Sequence, residues 1–304
     1  MTRAIVVRLL ALLLMAQAAQ AACVVDKLTT VPLRVSGGTI TLPIEVNGAT
    51  ATFILDTGAQ RSVVTEAAVR RLGLARDQWV GTTMRGVGGI DRRPNADPRS
   101  LSLGGVPLVR RTLSHDTSLT VAELPHTALG DDTIDGLLGR DFLSQFDLDL
   151  DVPARRVTLY RVRDCVGRFL PWPGDYTTIP MTVPTDQAIV LPVTLDGRPL
   201  RALLDTGASS SLLAAPGIYK LGLDATSVSG DPADRISGLG SRMITVHRHR
   251  FTSLMVGNLT SNSPLLWVEP VRLSPIVDML LGADWLVGRR VWISFASRQL
   301  FVAE

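Results

Sequence analysis

Cysteine is nearly absent from this chain: Cys23 and Cys165 are the two in 304 residues, enough for one disulfide or two free thiols. Histidine is sparse too, with four. His247 and His249 form an H-x-H that would put both rings on one face of a strand. No further ligand cluster accompanies them, so solvated strand histidines are expected rather than a metal site. There is no Ser-His-Asp series, no phosphate loop and no H-E-x-x-H, so the hydrolase mechanisms built on them lack their residues. No basic cluster argues for nucleic acid, and no low-complexity tract argues for disorder. Long helical periodicity is also scarce. What the chain does have is Val, Ile, Leu and Thr in short runs, punctuated by 26 Gly and 18 Pro, the pattern of a mainly β protein. Its length suffices for one large domain or two modest ones with real cores.

The first 22 residues differ from the rest. Arg3 and Arg8 bracket the start of an apolar stretch centred on LLALLLM, and small residues with two A-Q-A triplets follow. These read as the parts of a secretory signal, cut after Ala21 or Ala22. The alternative is an uncleaved anchor, because the segment is nearly long enough to span a membrane. A lipoprotein signal is disfavoured, since Gln20 stands where an aliphatic residue is usual. Without Arg3 and Arg8 the 31 basic residues fall to 29 against 28 acidic ones, a balance that says little about partners. Export would place the cysteines in an oxidising compartment, where Cys23 and Cys165 are expected to pair and staple the start of the mature chain to the end of its first half. Two free thiols remain the alternative.

The remainder is written twice. ITLPIEVNGATATFILDTGA (40–59) lies over IVLPVTLDGRPLRALLDTGA (189–208) at an offset of 149, with Ile40, Leu42, Pro43 and Gly48 recurring as Ile189, Leu191, Pro192 and Gly197. LGL recurs at 72–74 and 221–223, and IDGLLGRDFL (134–143) answers VDMLLGADWL (277–286) at an offset of 143. An ordered series of this kind indicates duplication. The expected organisation is a signal peptide over 1–22, one unit over 23–165 and a second over 166–304, joined near the Gly- and Pro-bearing CVGRFLPWPGDY. In each unit an alternating strand meets a hairpin turn at Asn47-Gly48 or Asp196-Gly197. A second apolar strand then runs into DTGA, and a short helix follows. A Gly-rich stretch comes next, MRGVGGI (84–90) or ISGLGSRM (236–243), before an apolar LLG and a closing strand at VTLY or LFVAE.

This series resembles the retropepsin-like, retroviral-type aspartic proteases, in a tandem two-lobe form found among bacterial exported proteins. The resemblance covers both halves. It implies a bilobal, mainly β fold of two closed β lobes with a cleft between them, and catalytic residues Asp56 and Asp205 facing each other across a pseudo-twofold axis. Thr57 and Thr206 would tie the two loops by reciprocal hydrogen bonds, and Gly58 and Gly207 would let backbone pass close to the carboxylates. Gly86, Val87, Gly88 and Gly89, with Gly238, Leu239 and Gly240, would be flap tips closing over an extended polypeptide substrate; solvated turns are the other reading of those segments. No cofactor and no metal is implied, nor nucleic acid, nor a membrane once the signal is removed. A periplasmic or secreted monomer is expected.

Two such carboxylates cannot both ionise cheaply, so they share a proton. One takes a proton from water while the other donates to the substrate carbonyl. Nothing in the sequence assigns the two roles. Ala59 and Ala208 offer no hydroxyl to the pair, which points to a pH optimum of about 5–6. Arg140 matches an arginine that the viral enzymes use structurally, whereas the second copy has Ala283. Gln60 and Ser209 stand where viral members often carry Asp. Asp135 and Asp278 are expected in turn or interlobe hydrogen bonds. Two function classes remain open: a peptide hydrolase, or a binding module that keeps the fold without turnover. An inert β domain with DTG as a turn cap is the plainest alternative, and the retention of two ionisable Asp favours the enzyme.

Overall fold

The computed structural model describes residues 22–86, 89–110, 117–124, 133–182, 188–237, 243–271, 273 and 276–304. Residues 1–21 of the expected signal lie outside the described residues, as do Val87, Gly88, Gly238, Leu239 and Gly240 of the expected flap tips. Among the described residues, no helix is long and apolar enough to cross a membrane.

The protein is mainly β and built as two lobes. In the strand Thr39–Val46 the side chains of Ile40, Leu42, Ile44 and Val46 alternate into the core. The strand turns at Asn47 (φ 53°) and Gly48 (φ 83°) into Ala49–Leu55. Val190–Leu195 turns likewise at Asp196 (φ 47°) and Gly197 (φ 77°) into Arg198–Leu204. Two left-handed residues in succession make the hairpin turn whose twist suits paired strands. The turn side chains also reach out: Asn47 Oδ1 accepts from the backbone of Arg99 and Ser100, and Asp196 Oδ1 from that of Thr252 and Ser253.

The first lobe's sheet runs in space as Ala75–Gly86, Gly89–Asp97, Leu119–Val121, Val63–Val64, Gly136–Leu138, Ala49–Leu55, Thr39–Val46, Leu101–Leu103 and Val106–Pro107, with Arg34–Ser36 added beside Thr39–Val46. The second lobe repeats that order strand for strand, from Ala233–Ser237 through Leu212–Leu213, Met279–Leu281 and Arg198–Leu204 to Leu259–Asn262. In both lobes the LLG strand lies parallel to the strand before DTGA and antiparallel to the short strand after it.

A six-stranded sheet joins the lobes. Val24–Pro32, Arg156–Arg163 and Asp147–Asp151 come from the first half; Arg290–Ser294, Gln299–Ala303 and Tyr176–Pro180 come from the second. The seam is antiparallel, with Leu148 opposite Ile293 and Asp151 opposite Arg290. Asp149 takes two hydrogen bonds from Arg290 (2.9 and 2.6 Å), and Asp147 accepts from Trp292 Nε1 (3.1 Å). These buried carboxylates therefore have donors from the partner lobe, which burial demands.

Cys23 and Cys165 are bonded, 142 residues apart in sequence. The bridge fixes the first strand of the joining sheet beside the end of Arg156–Arg163. Closing so long a loop restricts the unfolded chain, so the Cys23→Ser/Cys165→Ser variant is expected to lose about 2–5 kcal/mol in urea unfolding. Its activity should persist, because Val24–Pro32 still pairs along Arg156–Arg163. An unchanged unfolding midpoint would show that the bridge adds nothing.

Candidate active site

Each DTGA begins where its strand leaves the sheet. Asp56 N donates to Leu138 O (3.0 Å) and Asp205 N to Leu281 O (2.9 Å), so the LLG strand holds the first residue of each loop. The loop has no room beside the glycine of LLG. A Cβ on Gly139 would sit 3.0 Å from Ala59 O, and one on Gly282 would sit 2.8 Å from Ala208 O. Beneath the first loop, Asp141 Oδ1 accepts from Ser62 Oγ (2.7 Å) and Ser62 N, and Gly139 N donates to Ser62 Oγ. Asp284, Ser211 and Gly282 repeat this in the second lobe. The buttress is absent from the sequence reading, yet its signal is there: Ser62 and Ser211 obey the 149 offset, and Asp141 and Asp284 the 143 offset.

The two loops meet. Thr57 N donates to Thr206 Oγ1 (3.0 Å) and Thr206 N to Thr57 Oγ1 (3.1 Å). The hydroxyls themselves donate onward across the lobes, Thr57 Oγ1 to Leu204 O (2.7 Å) and Thr206 Oγ1 to Leu55 O (2.5 Å). Both threonines are fully buried. Gly58 packs on the opposite lobe's Asp205, whose Cγ a Cβ there would meet at 2.2 Å. Gly207 packs on Asp56 in the same way, at 2.4 Å. Neither glycine has a positive φ, so the requirement is space, not backbone freedom.

The Asp56 and Asp205 carboxyl groups share a hydrogen bond. Burial drives the Asp56 carboxyl up from its ordinary value to about 8, helped by the charge of Asp205; backbone N–H groups of Ala59 (2.7 Å) and Gly58 pull the other way. Burial raises Asp205 as well. It is opposed there by the backbone N–H groups of Ala208 (3.1 Å) and Gly207 (3.0 Å), by the hydrogen bond with Asp56 and by the charge of Arg140. Two carboxyls raised in this way favour sharing one proton.

Paired strands flank each glycine-rich segment. In the first lobe Ala75–Gly86 pairs with Gly89–Asp97 out to Gly86 opposite Gly89, with a register shift between Asp77 and Gly81. In the second lobe Ala233–Ser237 pairs with Met243–Arg250 over a shorter span. Asp135 Oδ2 accepts from Thr52 N (2.9 Å) and Asp278 Oδ2 from Arg201 N (2.8 Å), so both acids tie strands within their own lobes. His249 is not simply solvated: its Nδ1 lies 2.6 Å from Asp231 Oδ2, joining the second hairpin to the loop before it. Among the described residues, no three His, Cys, Asp or Glu are grouped to hold a metal ion.

A family model described as aspartyl protease matches residues 42–142 and again 191–285, one match per lobe, in keeping with the internal repeat. The fold is similar to the crystal structure of an aspartic proteinase from Irpex lacteus, at a TM-score of 0.55 and 14% identity, covering 93% of this chain and 97% of that one. No curated protein matches the chain.

Proposed function

The chain belongs to the aspartyl protease family, and we propose that it is an exported aspartic endopeptidase that hydrolyses peptide bonds with a water held between Asp56 and Asp205. The observation that carries this reading is the crossed packing of the two DTGA loops, which brings the Asp56 and Asp205 carboxyl groups together across the lobes. An ionised carboxylate beside a protonated one supplies a base for water and an acid for the carbonyl oxygen in a single site. The hairpins ending near Gly86 and Ser237 would close over a substrate held as an added strand. Both carboxylates come from one chain, so the pair needs no second copy. The disulfide favours an oxidising compartment, periplasmic or extracellular, and residues 1–22 would be the signal that directs the chain there.

Raised carboxyls and the lack of a hydroxyl on Ala59 and Ala208 favour activity at about pH 5–6 over strongly acidic conditions. The test is mass-spectrometric mapping of cleavages in a proteome-derived peptide mixture from about pH 3 to 8, with Asp56→Asn as control. Cleavage by the wild type alone is expected. Equal cleavage by both would implicate a contaminant, and cleavage by neither would favour a binding module. A rate still climbing below about pH 3 would overturn the pH assignment.

A further inference from the structure

At the residue after LLG the two lobes differ in charge. After LLG the first lobe has Arg140 and the second has Ala283, both buried (3% and 0% exposed). Arg140 Nη1 donates to Thr57 O (3.3 Å). That carbonyl belongs to the peptide leading into Gly58, and Gly58 packs on the Asp205 carboxyl. The guanidinium thus lies behind the backbone that covers Asp205, and the second lobe places no cation at the equivalent position behind Asp56. Burial adds to the asymmetry, since Asp56 is buried and Asp205 half-buried. Asp141, next to Arg140, is bound by Ser62 and by Arg110 (2.7 Å), and Asp284 by Ser211; the first DTGA loop also carries Arg61, where the second has Ser210.

We propose that Arg140 is a positioning residue that breaks the near-twofold symmetry, making Asp205 the carboxylate that takes the proton from water and Asp56 the acid that protonates the substrate carbonyl. The proposal rests on the protease reading above. As the water oxygen bonds to the carbonyl carbon, its proton passes to Asp205 and the Asp56 proton passes to the carbonyl oxygen. On collapse Asp205 returns its proton to the amide nitrogen, Asp56 regains one from a hydroxyl of the intermediate, and the C–N bond breaks. The dyad then stands as it began. A cation that favours the charged form of Asp205 fixes this direction without touching substrate.

Two measurements test it. Carboxyl 13C NMR of selectively labelled wild type, assigned with Asp56→Asn and Asp205→Asn, should find Asp205 ionised at pH values where Asp56 is still protonated. The pH profile of kcat/KM should then respond to charge at position 140. Arg140→Gln should move the acid limb to higher pH by about 0.5–1 unit and narrow the bell, while Arg140→Lys should leave the limb in place. A fall in kcat with unmoved limbs in Arg140→Gln would reduce Arg140 to a structural role, and Asp56 ionising first would overturn the assignment outright. If the glutamine variant does not fold, the wild-type titration still decides. If the wild type cleaves no peptide, the protease reading fails separately, and the titration still reports where the proton sits.

Discussion

Asp205→Asn is expected to keep its fold and lose about two to four orders of magnitude in peptide hydrolysis, the range contributed by positioned acid–base groups. The amide matches the carboxyl in shape and still accepts from the Gly207 and Ala208 N–H groups at its oxygen. It cannot take a proton from water, and it leaves Asp56 without the neighbour whose charge helps hold it protonated. The stability of the variant should move the opposite way. Both carboxyls are raised in the folded protein, so folding binds protons above the ordinary carboxylate range, and their stabilising contribution is lost as pH rises towards about 8. An uncharged Asn carries no such penalty. At pH 7–8 Asp205→Asn should therefore melt at or above the wild-type temperature, and the difference should shrink at about pH 4. An active Asp205→Asn protein would remove the dyad from the mechanism, and a melting temperature that drops most at high pH would contradict the raised carboxyls.

Gly58→Ala should also damage activity, although it removes no chemical group. The added methyl would lie 2.2 Å from Asp205 Cγ and 2.4 and 2.5 Å from its oxygens. Asp205 cannot swing aside freely, because two backbone N–H groups and the Asp56 carboxyl hold it. The carboxyl must shift by about 1 Å, a displacement that costs roughly a hundredfold in a positioned reaction. Overpacking should also destabilise the fold by about 1–3 kcal/mol. Gly48→Ala is the matching control: nothing lies within 4 Å of its Cβ, but φ is 83°, so it should lose stability through backbone strain and keep full activity. Wild-type kcat/KM in Gly58→Ala would mean that the loops do not cross as described.

Much of this was legible in the chain itself. The alternation of Ile40, Leu42 and Ile44 and the turn pairs Asn47-Gly48 and Asp196-Gly197 are local signals, decided by neighbours within a few residues. The duplication was readable because one half serves as an internal standard for the other. Cys23–Cys165 could be expected because only two cysteines exist, although pairing depended on the chain bringing them together across 142 residues. Asp135 and Asp278, left between turn and interlobe roles, proved to accept from mid-strand backbone within their own lobes.

The sequence by itself determined the β character, the repeat and the pair of acids at its centre, because periodicity and repetition are written in order along the chain. The family resemblance implied the Thr57–Thr206 exchange; only the tertiary structure decided that Gly58 covers Asp205 and Gly207 covers Asp56, and that Arg140 lies behind one carboxylate and not the other. The threonine pair, 149 residues apart, and the glycine–carboxylate crossings join opposite lobes. Arg140 reaches Thr57 from 83 residues along the same half. Such contacts leave no periodic trace, since each is fixed by how the sheets stack about a shared seam and not by the residues beside it.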